Sequence, residues 1–131
     1  MEEQPNESGS TKDTSTGMEP NVGGALSYLL GIITGILFYV IEKDNEFIRF
    51  HAMQSIIVFG GLFVLSILWS FFLAFLGFIP ILGWIVAGIL GFVSLLIMPL
   101  IIILWLFLMY KAFNGQMYEL PLVGKYAREY M

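Results

Sequence analysis

The sequence contains no cysteine, which excludes disulfides, thiolate metal sites and cysteine nucleophiles. It has one histidine, His51, too few for a histidine-built metal centre. Charge is equally scarce. Asp, Glu, Lys and Arg make up 12% of 131 residues, where soluble domains carry about a quarter. None of them falls between Ala52 and Tyr110, a run of about 60 residues. The net charge of −4 comes mainly from the N-terminal tail and argues against a nucleic-acid partner. No glycine-rich phosphate loop precedes a Lys-Ser/Thr pair, and no paired carboxylates lie in the apolar runs. His51, Glu42, Asp44, Glu46 and Glu119 form no catalytic spacing and are expected at the water boundary. The expectation is therefore a protein that is not an enzyme and needs no cofactor or metal.

What the chain has instead is hydrophobicity, 58% of its residues. A helix that crosses a bilayer needs about 20 mostly apolar residues. The reading is an all-α integral membrane protein: an acidic tail over 1–20, expected to be disordered, and a membrane domain over 21–131. Asn6-Glu7-Ser8 fits a glycosylation sequon. Three spans are predicted, at about 21–41, 52–78 and 83–113. Asn21 suits an N-cap and Glu42 a helix end. Gly31 and Gly35 form a GxxxG pair, and Ala87 and Gly91 a second small-residue face, both suited to close helix packing. Gly77 to Gly83, with Pro80 inside it, reads as a tight turn. Trp69 falls near mid-span and is expected inside the bundle or at an oligomer contact. Pro99 should kink the last span without dividing it.

The only charged stretch between spans, 42–51, reads as an interfacial helix start. Asp44 or Asn45 would cap it, and Arg49 would snorkel to the headgroups. Gln54 and Ser55 sit in apolar surroundings and should face another helix. Asn114-Gly115 can stop the last span. Beyond it, 114–131 is amphipathic, with Tyr118, Tyr126 and Tyr130 interleaved with Lys125 and Arg128, the pattern of a headgroup-level segment. Lys43, Arg49, Lys111, Lys125 and Arg128 outnumber Lys12 across the three predicted spans. That bias puts the first loop and the C-terminus inside a cell membrane and the N-terminus outside.

Two stretches resemble a known family. Asn45-Glu-Phe-Ile-Arg-Phe-His-Ala-Met-Gln-Ser55 is similar to an FxRFHAxQ pattern at the start of the second helix of small prokaryotic membrane proteins of unknown function. Tyr110-Lys-Ala-Phe-Asn-Gly-Gln-Met-Tyr-Glu-Leu-Pro-Leu-Val-Gly124 is similar to their KAxxGxxYxxPxxG segment. These proteins are grouped with the chloroplast import component Tic twenty, and the resemblance covers about 23–127. The pattern falls on Phe47, Arg49, Phe50, His51, Ala52 and Gln54, then on Lys111, Ala112, Gly115, Tyr118, Pro121 and Gly124. It implies no catalytic residue and, by analogy, a part in protein translocation or insertion. The plastid component is drawn with four spans, one more than is predicted here. The partners expected are the lipid bilayer and other membrane proteins, or further copies of the chain as a homo-oligomer. The alternative is an oligomeric channel or carrier for a small solute or lipid, lined by Ser27, Thr34, Gln54, Ser55, Ser66 and Ser70. An enzyme acting on lipids lacks any residue constellation. With both motifs on one face, Arg49, His51 and Gln54 are expected to pin the returning 115–124 segment.

Overall fold

The computed structural model describes residues 14–131. Asn6 and the rest of the tail before residue 14 lie outside them. The described residues form five helices: α1 (Pro20–Leu29), α2 (Ile32–Ile41), α3 (Glu46–Leu76), α4 (Leu82–Phe113) and α5 (Val123–Tyr130). Contacts divide the chain into two compact units. One holds the residues up to Gly61 together with Trp105–Met131, the other Leu62–Leu104.

In the first unit, the segment read as the first span is two helices of ten residues each. Each is about 15 Å long, half the thickness of a hydrocarbon core. The break falls at Gly31, whose φ of 64° and ψ of −120° suit glycine alone. Along α1 the contacts climb α3. A Cβ on Gly23 would touch Ile48, one on Gly24 would touch Phe47 and His51, and Tyr28 bonds His51 and Gln54. Past the break they descend: Gly31 lies against Phe59, Gly35 against Ala52 and Ser55, and the carbonyl of Tyr39 accepts from Arg49. The segment is a helical hairpin that turns back on itself. Gly35 is what lets α2 approach α3, since a Cβ there would stand 3.0 Å from the Ala52 carbonyl oxygen.

A broken helix in apolar surroundings survives only if its freed backbone groups find partners. Here they do. Thr34 Oγ1 accepts the Leu30 N–H at 3.1 Å and donates to the Ser27 carbonyl at 3.1 Å. Ser55 Oγ donates to the Gly31 carbonyl at 2.9 Å, and Trp105 Nε1 to the Tyr28 carbonyl at 2.6 Å. Because the hairpin returns, the residues before α1 meet the 42–45 loop. The Ser15 N–H donates to both Glu42 carboxylate oxygens, at 3.0 and 2.8 Å, and Ser15 Oγ donates to Asp44.

Several expectations are corrected by this arrangement. Two helices, α3 and α4, are long and apolar enough to cross a membrane, not three. The described N-terminal residues and the first loop lie at the same end, not at opposite ends. Asn21 does not cap α1, which starts at Pro20 after Glu19; its amide donates to the Phe113 carbonyl at 3.0 Å. Gly31 breaks the helix where it lies against Phe59, so the Gly31–Gly35 pair does not sit within one continuous helix. Glu42 is fully buried, its carboxylate also taking the N–H groups of Asp44 and Asn45. Asn45 caps α3 as expected, through Oδ1 to the Ile48 N–H at 3.1 Å.

In the second unit the two long helices are tied by Trp69 Nε1, which donates to Ser94 Oγ at 2.8 Å. Their turn closes tightly: a Cβ on Gly83 would lie 2.0 Å from the Leu76 carbonyl oxygen, and Trp84 Nε1 caps the Gly77 carbonyl. The Leu82 N–H returns to the Pro80 carbonyl across Ile81, which has a positive φ of 63°. The same device, Pro121-Leu122-Val123 with Leu122 at φ 70°, opens α5. Each is a three-residue turn with a strained centre, and each launches a helix immediately after a proline. α4 runs unbroken through Pro99. A Cβ on Gly91 would enter open space, and Ala87 and Gly91 are both partly buried.

Candidate functional site

The first turns of α3 carry Phe47, Phe50, His51, Gln54 and Ser55, all fully buried. Helical spacing puts His51 and Gln54 on the side facing Tyr28 of α1. Gln54 Nε2 donates to Tyr28 Oη at 2.8 Å and to the Tyr118 carbonyl at 3.0 Å, while its Oε1 accepts the Leu120 N–H at 3.1 Å. A carbonyl at one end and an N–H at the other fix which way the amide points. Since Tyr28 Oη accepts from Gln54, its own proton goes to His51 Nδ1, at 2.8 Å. His51 then holds its proton on Nε2 and donates it to the Gln116 carbonyl at 2.9 Å. The rings of Tyr28, Phe47 and Phe50 stand edge-on to the imidazole, with centroids 5.4, 4.7 and 5.2 Å away. Among the described residues no buried side-chain nitrogen or oxygen lacks a partner.

This cage closes on the segment that follows α4. Gly115, at φ 76°, takes the left-handed position after the helix. Its N–H returns to the Ala112 carbonyl and that of Gln116 to the Lys111 carbonyl, the paired bonds of a glycine-terminated helix. Ala112 is buried, and a Cβ on Gly24 would lie 3.4 Å from its methyl. The Tyr118 ring meets Phe107 edge-on at 5.1 Å, and the Lys111 ammonium stands over both rings. After Pro121 the chain turns into α5. Gly124 is required there, because a Cβ would fall 2.4 Å from that of Glu119. Glu119 pairs with Arg128, whose guanidinium lies 5.2 Å from the Phe50 ring centre.

His51 and Gln54 thus hold the 116–120 segment, as the motifs led one to expect. Arg49 does something else. It does not snorkel outward: its guanidinium stacks on Tyr39 and donates to the main-chain oxygens of Met131, Tyr39 and Glu42. It pins the far end of α5 together with Tyr39, whose hydroxyl donates to the Tyr130 carbonyl. Ala52 packs beside Gly35. Ala87 and Gly91 belong to the other unit and take no part. Sequence reasoning missed Tyr28, Tyr39 and Trp105. Their signal was present as polar-tipped aromatics inside apolar runs, where such tips need a partner.

No solved structure matches the chain. It is 47% identical over 117 residues to a UPF0132 membrane protein of Methanocaldococcus jannaschii, covering 89% of this chain and 93% of that one. A UPF0132 membrane protein of Archaeoglobus fulgidus is 46% identical over 112 residues, 86% of this chain and 95% of its own length. The likeness to Tic twenty rests on the two motifs alone. With a family model matching residues 13–127, nearly all of what the structure describes, the chain belongs to the magnetosome magnetite crystal formation protein family.

Proposed function

We propose that this chain is a multi-pass protein of the cell membrane that acts by contacts with other membrane proteins, beside translocation or insertion machinery, and has no catalytic activity of its own. The observation that carries this reading is a contrast. Every buried polar group of the cage is consumed by bonds within the chain, while Leu65, Phe71, Phe75, Phe92 and Leu95 on the long helices are 62–71% exposed. The chemistry is closed and the apolar surface is open. α3 and α4 cross the bilayer, and α1 and α2 dip in and return. Lys43, Arg49, Lys111, Lys125 and Arg128 then share the end of the hairpin loop and α5, which the positive-inside bias places in the cytoplasm.

The family description speaks of magnetite crystal formation. Among the described residues no three His, Cys, Asp or Glu side chains stand together to hold a metal ion; the role we propose is that of a scaffold. The motif resemblance supports a place near protein traffic. Crosslinking in native membranes, followed by purification of the tagged chain, tests it. Recovery of translocase or insertase subunits is expected; recovery of the chain's own copies alone overturns it.

The second reading, an oligomeric channel or carrier, draws on a groove of about 410 Å³ lined by Ser66, Ile67, Ser70, Phe71 and Ala74. Its hydroxyls are turned inward: Ser66 donates to the Phe63 carbonyl and Ser70 to that of Ser66. Solute flux through vesicles containing only this protein would favour it.

A further inference from the structure

The bonds that hold 116–120 have a property that helix packing does not require: they are made to main-chain atoms alone. The Gln116 carbonyl accepts from His51, the Tyr118 carbonyl accepts from Gln54, and the Leu120 N–H donates to Gln54. These groups belong to every second residue of a segment that forms no helix, the two-residue alternation of an extended chain. The donor-acceptor order that they read, carbonyl, carbonyl, then N–H, is present in any extended polypeptide without proline at the last position. Side-chain contacts enter where the Tyr118 ring meets Phe107 edge-on under the Lys111 ammonium and where Met117 packs against the cluster of Phe38, Phe47, Ile48 and Ala52. Strand-like recognition of this kind draws affinity from the main chain and specificity from alternate side chains.

We propose that Tyr28, His51, Gln54, Phe107 and Lys111 form a binding slot for an extended peptide segment with an aromatic residue at its centre, and that 116–120 occupies this slot in cis. A partner's segment of that chemistry takes the slot when the chain's own is released. Release has a built-in weak place. The segment joins α4 through Asn114-Gly115, and its far side is held by the Glu119–Arg128 pair at the surface. The proposal deepens the partner-contact reading by naming the kind of chain that docks, and it rests on that reading.

The probe is a capped peptide with the sequence of 115–122, fluorescently labelled, added to the full chain in lipid nanodiscs. A second peptide carries an N-methyl group on the main-chain nitrogen matching Leu120. The tethered segment competes at an effective concentration in the millimolar range, so two variants loosen it without touching the slot: Gly124→Val, which forces a Cβ against Glu119, and Arg128→Ala, which removes the surface pair. Saturable binding is expected, at least tenfold tighter to either variant than to the unaltered chain. Binding should weaken at least tenfold on N-methylation, the effect of losing one well-formed hydrogen bond. Should Gly124→Val fail to fold, Arg128→Ala and the N-methyl comparison carry the test. Equal binding of both peptides, or no saturable binding to the loosened chain, overturns the slot. Native-membrane crosslinking separates this from the broader reading: partners recovered without peptide binding overturn the slot alone, and peptide binding without partners overturns the broader reading alone.

Discussion

Gln54 bonds to three groups from two parts of the chain, so one side chain settles how α1, α3 and the 116–120 segment meet. Gln54→Leu keeps the volume and strands the Tyr118 carbonyl, the Leu120 N–H and one lone pair of Tyr28 Oη. Each buried group left without a partner costs about 1–3 kcal/mol. The segment should lift: trypsin should cut after Lys125 and Arg128 faster than in the unaltered protein, and the Leu120 amide should exchange faster. Unchanged protection would show that side-chain packing alone holds the segment. Arg49→Lys tests a different requirement. A guanidinium reaches three main-chain oxygens while stacked on Tyr39, and an ammonium lacks that planar fork. The charge is kept, yet the end of α5 should become protease-sensitive.

At the scale of elements, the hairpin depends on close approach and the long helices do not. Gly35→Leu drives a side chain into the Ala52 carbonyl and Ser55 and should cost about 1–3 kcal/mol or more by overpacking. Gly91→Leu enters open space and should leave the detergent melting temperature unchanged or raised, since glycine is a poor helix former. Equal losses from both would mean that the Gly91 face is packed against a further helix, as in an oligomer. The elements differ in how legible they were. The Gly77–Gly83 turn, the end of α4 at Gly115 and the cap at Asn45 follow from local chemistry and stand where the sequence put them. The 21–41 segment does not. Twenty-one uncharged residues have the length and hydropathy of a span, and one glycine among several gives no local sign that the chain reverses there.

For the whole molecule, the hairpin changes which ends share a face. The chain has no cysteine, so single replacements make unique labels. Glu19→Cys and Lys43→Cys should react with an impermeant maleimide from the same side of sealed vesicles, and Phe78→Cys, at an 83% exposed residue, from the other. A continuous first span would instead put Glu19→Cys on the side of Phe78→Cys.

Composition and periodicity determined, without any structure, that this is a helical membrane protein with a charged start to α3 and an amphipathic end. Those properties follow from apolar length and charge placement, which are local and additive. Tertiary structure alone decided that the first apolar segment turns back. Its freed backbone groups are satisfied from within by Thr34, by Ser55, 24 residues beyond Gly31, and by Trp105, 77 residues beyond Tyr28. The fate of Glu42 was decided in the same way, by the N–H that Ser15 brings from across the hairpin. A buried polar group is tolerated only where a partner arrives, and no local pattern reports which partner, from which distance, that will be.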